Sequence, residues 1–349
     1  MTPRLVFAVP GDIETRSGGY GYDRRMMAEL AGLGWEVTHL PLPGSFPVPG
    51  AADFDQTAAV FAEIPDDAVV LVDGLAFGAM PDIARAEAGR LKLVALVHHP
   101  LALEAGLPEA QRESLERSER TALAFAEAVV VTSQATAREL VAHWGVPAER
   151  LTVAPPGTDP ASQPARGTGK PPVILAVGTL IPRKDHATLV AALSRLGNHD
   201  WRCRIVGGTE ADPATTAVLR DQIAASGLAD RFELAGALAD VAPEYRRADI
   251  FALASRYEGY GMVFAEAMAN GLPIVACRAG AVGDVVPEGA GILVAPGDVS
   301  AFAGAIEGLL ADPARREAMA RASYAAGAEL PSWRASAAVL AGALEGVAR

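Results

Sequence analysis

The chain has 349 residues, half of them hydrophobic and 21% charged, a folded globular composition long enough for two hydrophobic cores. Its net charge of −12 argues against nucleic acid as the main partner and leaves at most weak peripheral contact with an anionic membrane. The only two cysteines, Cys203 and Cys277, provide no disulfide framework and no zinc site, which suits a reducing compartment.

Met1-Thr2-Pro3-Arg4 runs straight into a short apolar strand, without the longer apolar region and cleavage site of a signal peptide. No apolar run approaches the ~20 residues of a membrane span, so the expected location is cytoplasmic. Runs of Val, Leu, Ile and Ala at 5–9, 36–40, 69–72, 93–97 and 128–131 read as buried strands, with amphipathic helices predicted at 22–33 and 112–126. Such alternation predicts a parallel sheet covered on both faces. The pattern pauses at Pro155-Pro156-Gly157-Thr158-Asp159-Pro160 and the Ala/Ser/Gln/Pro/Gly residues up to Pro172, the best linker candidate. A second series then places strands near 173–177, 203–206, 232–235, 250–254, 273–276 and 291–294. The expected fold class is therefore α/β, with two doubly wound parallel-sheet domains over 1–160 and 161–330. An Ala/Leu-rich helix in 331–349 can belong to either domain by sequence, and packing back on the N-terminal one is a possible arrangement. Ligands of doubly wound sheets bind beyond the carboxyl ends of the strands, so the cleft between two facing domains is the expected site.

The strongest chemical signal is the string from Ser255 to Pro273, in which a strand enters a glycine-containing turn and a helix starts near Gly261 or Met262. Glycines let the backbone approach a ligand closely, and the free N–H groups of a helix start suit phosphates or hydroxyls. Glu258 precedes that helix and Glu266 lies within it; ionised carboxylates accept hydrogen bonds from sugar and ribose hydroxyls. Taken alone, the two glutamates read equally as solvated helix-face charges. A second signal is the loop Val177-Gly178-Thr179-Leu180-Ile181-Pro182-Arg183-Lys184-Asp185-His186, ahead of a helix over about 186–196. Adjacent cations there suit a diphosphate, and read equally as a solvated basic pair.

Together these strings closely resemble the family 4 retaining glycosyltransferases of GT-B fold, whose signature is two glutamates with seven residues between them. Further matches lie in Ile205-Val206-Gly207-Gly208, Phe232 to Gly236, Tyr245 to Ile250, Ala279-Gly280 with Asp284, and Gly291 to Asp298, so the likeness covers roughly residues 150–335. The resemblance implies that Glu266 binds the donor ribose and that Glu258 lies near the donor sugar hydroxyls. It assigns backbone contacts to Gly178, Gly259, Tyr260, Gly261, Met262 and Val263, the diphosphate to Arg183 and Lys184, and the base to Gly236, Ala237 and Leu238. Thr179 departs from the family pattern, which often has Arg there, and this places more of the phosphate on Arg183 and Lys184.

In the N-terminal half, Gly18 and Gly19 in Ser17-Gly18-Gly19-Tyr20-Gly21-Tyr22 resemble the family's phosphate-reaching loop. They are no dinucleotide fingerprint, because Arg24 stands where a third glycine belongs. The family often has a histidine near the transferred sugar; His98 is the first choice here and His99 the second. Ser133 and Pro156 to Asp159 read as structural. Asp53-Phe54-Asp55 reads as a solvated turn and no divalent metal is expected; Glu113, Glu116 and Glu119 with Arg112, Arg117 and Arg120 read as a solvated helix face.

The implied activity is metal-independent transfer of a hexosyl unit from a UDP- or GDP-sugar, a co-substrate and not a cofactor, to the hydroxyl of a glycan, lipid-linked glycan or small molecule. The competing readings are a sugar-nucleotide epimerase, a phosphorylase, or a non-catalytic nucleotide-sugar-binding protein on the same fold. The sequence carries no signature of oligomeric state.

Overall fold

The structure is a computed structural model that describes residues 2–165, 167 and 169–349; Met1, and Arg166 and Thr168 within the expected linker, lie outside the described residues. The chain divides into two compact units, one running to Gly157 and including Pro331–Arg349, the other spanning Thr158–Leu330.

Unit 1 is built on six strands: β1 (Arg4–Pro10), β2 (Glu36–Leu42), β3 (Val69–Asp73), β4 (Lys92–Val97), β5 (Ala128–Val131) and β6 (Leu151–Val153). They form one parallel sheet in the order β2-β1-β3-β4-β5-β6. Unit 2 repeats the design with β7 (Val173–Val177), β8 (Arg202–Val206), β9 (Phe232–Gly236), β10 (Ile250–Leu253), β11 (Ile274–Cys277) and β12 (Gly291–Val294). Its parallel order is β12-β11-β10-β7-β8-β9. Both sheets are doubly wound, as the alternating sequence predicts. The central strands are almost wholly buried, which is why they read as unbroken Val/Ile/Leu/Ala runs instead of alternating ones.

Strand order fixes where ligands can enter. In unit 1 the direction of winding reverses between β1 and β3, and in unit 2 between β7 and β10. At such a switch point the loops leaving neighbouring strands diverge to opposite faces and open a crevice at the carboxyl ends.

Three sequence readings are corrected. The Asp53-Phe54-Asp55 segment is not a turn but part of a helix, Ala51–Ala62, because the Asp53 carboxylate accepts from the Gly50 N–H at 2.8 Å and from Ser45 Oγ at 2.7 Å and so caps the helix start. Strand β6 is an addition: three half-buried residues at a sheet edge give too short a pattern to read. Glu119 is not on a solvated face. Within the helix Glu109–Leu123 it shares the buried stripe with Leu115, Ala122 and Leu123, while Glu113–Arg117 and Glu116–Arg120 pair on the outside at 3.7 and 3.3 Å.

The helix Trp333–Val347 lies with unit 1 and packs on the helix Gly18–Gly32 and on β5 and β6, burying Trp333, Ala337, Leu340 and Leu344. Among the described residues no helix is long and apolar enough to cross a membrane. Cys203 and Cys277 sit buried and unpaired on β8 and β11.

Candidate functional site

In unit 2 the loops leaving β7 and β10, neighbours at the switch point, are stitched together by charge. Glu258 is 4% exposed, and its Oε1 accepts from Lys184 Nζ at 2.6 Å and from Ser255 Oγ at 2.6 Å. Arg183 donates to Glu258 Oε2 at 3.3 Å and to the Tyr257 carbonyl at 3.0 Å. Burial pushes the Glu258 carboxyl up, but Lys184, Arg183 and the hydrogen bonds outweigh it and hold the group below the ordinary glutamate value. The alternative of solvated charges is thereby replaced: Arg183, Lys184 and Glu258 form one largely buried cluster.

The cluster rests on a second pair. Arg256 donates its backbone N–H to the Arg183 carbonyl at 2.8 Å and its Nε to Asp185 Oδ2 at 3.0 Å. Asp185 has a positive φ of 45° and caps the helix His186–Ser194 through Thr188. His186 is buried, and burial lowers it to about 4, so the neutral ring donates Nε2–H to the Gly178 carbonyl at 3.0 Å. That bond fixes the Gly178 turn. Gly280, at φ +55°, lies so close to the Glu258 carbonyl that a Cβ would come within 2.2 Å of its oxygen, and the Ala281 N–H donates to that same oxygen.

Gly259 and Tyr260 are half-buried on the same turn, Gly261 caps the helix Met262–Ala269 in a left-handed conformation, and Met262 and Val263 open that helix. The first-turn N–H groups there are oriented as partial positive charge. Glu266, one further turn along, is half-buried and accepts from the Tyr245 hydroxyl at 2.6 Å. Burial raises its carboxyl above the ordinary value, against the opposing hydrogen bond from Tyr245; Lys184 acts on both glutamates. Gly236 ends β9 with φ +70°, followed by an exposed Ala237 and a half-buried Leu238, at the same edge of the sheet.

Unit 1 presents its own cluster at its switch point. His98 follows β4, and its Nε2 lies 3.2 Å from Asp23 Oδ1 and 3.2 Å from Asp73 Oδ2. Asp73 is the last residue of β3, and Asp23 lies in the helix Gly18–Gly32 that follows β1. Ligand-type atoms of the three side chains lie within 4.8 Å of one another. Gly19 packs against the ring, a Cβ there meeting Cδ2 at 3.4 Å, and Gly18 opens the same helix behind the Ser17 cap. His99 turns away and pairs with Glu104 at 3.4 Å. The structure thus gathers Gly18, Gly19 and His98 and sets His99 apart. Asp23, Asp73, Ser255, Tyr245 and the Asp185–Arg256 pair were not singled out from sequence as site residues. Ser255, Arg256, Asp185 and Tyr245 stood inside the matched strings without a role of their own, and Asp73, an acid at the end of an otherwise apolar strand, carried a readable signal.

Two Rossmann-like parallel sheets with charged side chains at their switch points define the GT-B class. The fold is that of sucrose-phosphate synthase from Thermosynechococcus elongatus, with a TM-score of 0.81 at 23% identity over 98% of both chains. Anabaena HepE in complex with UDP-glucose gives 0.79 at 21% identity over 98% of this chain and 99% of that one. The family model "Glycosyl transferases group 1" matches residues 157–326 and "Glycosyltransferase Family 4" matches residues 37–162. The chain belongs to this glycosyltransferase family. A D-inositol 3-phosphate glycosyltransferase of Xylanimonas cellulosilytica is 32% identical over 67% of this chain and 60% of its own length. An MMP alpha-(1->4)-mannosyltransferase of Mycolicibacterium hassiacum is 31% identical over 70% of this chain and 63% of its own. The matched region thus spans less than two thirds of these relatives.

Proposed function

We propose that this chain is a retaining glycosyltransferase that moves a hexosyl unit from a nucleoside-diphosphate sugar to an acceptor hydroxyl without a divalent metal. The supporting observation is the Arg183–Lys184–Glu258 cluster at the unit 2 switch point, which sets two cations at the mouth of a strand-to-helix crevice beside the start of the helix Met262–Ala269. Breaking the anomeric C–O bond leaves negative charge on the diphosphate, and fixed cations and helix N–H groups stabilise such charge electrostatically. The acceptor oxygen bonds to the anomeric carbon as that bond breaks, and its proton passes to the departing diphosphate oxygen on the same face. No enzymic nucleophile is required. Glu266 holds the ribose hydroxyls, Glu258 orients Lys184 and Arg183 and meets the sugar hydroxyls, and Gly236 to Leu238 lie along the base.

UDP- and GDP-sugars are the donors to try first, given HepE with UDP-glucose and a relative named as a mannosyltransferase. Inositol phosphate joins the acceptor panel on the strength of the Xylanimonas relative. The test is thermal stabilisation and nucleoside-diphosphate release across UDP-, GDP-, ADP- and dTDP-sugars, with Glu266→Ala alongside. One nucleotide class is expected to raise the melting temperature and Glu266→Ala to abolish that rise, with slow diphosphate release from the wild type. Absence of binding to every nucleotide sugar refutes the proposal; an isomerised donor or a sugar 1-phosphate as product assigns the other chemistries.

A further inference from the structure

Three ligand-bearing side chains converge at the unit 1 switch point from three elements: Asp23 in the helix Gly18–Gly32, Asp73 at the end of β3 and His98 just after β4. Asp23 and Asp73 are 0% and 1% exposed, and two carboxylates out of water beside one imidazole leave negative charge in a poorly screened place. Hydrogen bonds do not resolve it. His98 Nε2 lies 3.2 Å from Asp23 Oδ1 and 3.2 Å from Asp73 Oδ2, and a single N–H serves one acceptor well, not two. Both distances are also long for a charge-assisted bond, which settles at about 2.7–2.9 Å. Asp23 Oδ2 is buried with no hydrogen-bond partner among the described residues.

The same spacing suits a cation. Imidazole nitrogen and carboxylate oxygen bind zinc at about 2.0–2.2 Å, and tetrahedral angles then hold the ligand atoms about 3.4 Å apart. All three side chains offer ligand atoms within 4.8 Å of one another. Outer contacts of the kind that orient metal ligands are in place. Asp73 Oδ1 accepts from the Leu75 N–H at 2.8 Å, and the His98 carbonyl accepts from Thr132 Oγ1 at 3.1 Å. The Tyr22 ring stands edge-on to the imidazole at 5.2 Å and is itself held by donation from its hydroxyl to the Ala154 carbonyl at 2.9 Å. The His98 side chain is 20% exposed, which leaves a path in.

We propose that Asp23, Asp73 and His98 form a binding site for a divalent transition-metal cation, zinc the first choice, which pins the helix Gly18–Gly32 to the ends of β3 and β4. One imidazole with two carboxylates suits zinc better than calcium or magnesium, which take oxygen ligands. Zinc takes the Nε2 lone pair, so a proton competes with it, binding weakens as pH falls, and the ring titrates only in the zinc-free chain. Ligands at positions 23, 73 and 98 leave no spacing motif, which is why no metal was expected from the sequence. The ion serves unit 1 alone and takes no part in the transfer proposed above, so neither reading rests on the other.

The test is a calorimetric titration of the chelator-treated full chain with zinc chloride, and with magnesium chloride for comparison, alongside Asp23→Asn, Asp73→Asn and His98→Gln. The wild type is expected to bind zinc in a one-to-one ratio, at least about a hundredfold more tightly than magnesium, and each variant to lose at least about tenfold in zinc affinity. Zinc is also expected to raise the melting temperature of the wild type, and EDTA to reverse the rise. Where a variant fails to fold, anomalous diffraction at the zinc edge from wild-type crystals decides: a peak about 2.0–2.2 Å from the three ligand atoms supports the site, and a peak only elsewhere overturns it. A wild type that binds no zinc, or zinc binding that the folded variants keep in full, also overturns it and leaves a hydrogen-bonded cluster. None of these readings needs turnover of a donor, so failure of the proposed function leaves the test intact.

Discussion

Glu258 shows how a single carboxylate decides the state of its neighbours. Lys184 and Arg183 are only 13% and 15% exposed, and Glu258 is the counter-ion that both share. Removing one member of a buried ion cluster costs about 3–5 kcal/mol, because the partners keep their charge and lose its compensation. Glu258→Gln preserves shape and removes that charge. It is expected to lose stability in this range by chemical denaturation of the free protein, and to regain more of it than the wild type does on adding nucleoside diphosphate, since the diphosphate becomes the counter-ion. Equal gains in the two proteins would show that the diphosphate does not reach Lys184 and Arg183. This arrangement was half legible. The seven-residue spacing of Glu258 and Glu266 and the Arg183-Lys184 pair stand in the sequence, but contacts such as Lys184 to Glu258 join residues 74 apart. Chain order does not announce them; strand order does, by making β7 and β10 neighbours.

At the scale of elements, the strands were the most readable feature because a strand buried on both faces has no polar alternation to confuse it. Turns and helix faces were less so. The helix Ala51–Ala62 depends on a cap made by Asp53, and the buried place of Glu119 depends on which face of its helix meets the core. Glu119 accepts from Leu101 N–H at 3.1 Å and Trp144 Nε1 at 2.8 Å, tying the segment after His98 and His99 to two other elements. The loop carrying Glu258 is held in the same spirit by Gly280, where any side chain would strike the Glu258 carbonyl. Gly280→Ala is therefore expected to destabilise unit 2 by roughly 1–3 kcal/mol and to weaken the thermal shift given by a nucleotide sugar. A stability loss with an unchanged ligand shift would mean that the loop absorbs the methyl group without moving Glu258.

For the whole molecule, the two units are expected to differ in their response to pH, because His98 and Glu119 in unit 1 are raised while His186 in unit 2 is lowered. In unit 1, burial raises Glu119 to about 8 despite its two hydrogen bonds, and the two aspartates raise His98. A group raised in the folded state binds more protons folded than unfolded, so its contribution is present at low pH and is lost as pH rises through the folded value. For Glu119 that loss runs from its ordinary carboxyl range up to about 8, and for His98 it begins above the ordinary histidine value. In unit 2, His186 is lowered by burial to about 4, so the unfolded chain binds the extra proton and stability falls as pH drops below about 6.5. Glu266 is raised and offsets part of this. The melting temperature of unit 1 relative to unit 2 is thus expected to fall between pH ~5.5 and ~9, each shifted group contributing up to roughly a few kcal/mol. Trp201 is the only tryptophan of unit 2, with Trp35, Trp144 and Trp333 in unit 1, so Trp201→Phe assigns a fluorescence melt to unit 1. Glu119→Gln is expected to flatten the unit 1 profile, giving its largest gain over the wild type above pH ~8, where the native carboxyl is charged, and little near pH ~5. Parallel profiles for the two units, or a Glu119→Gln effect independent of pH, would place the buried charge of this molecule elsewhere.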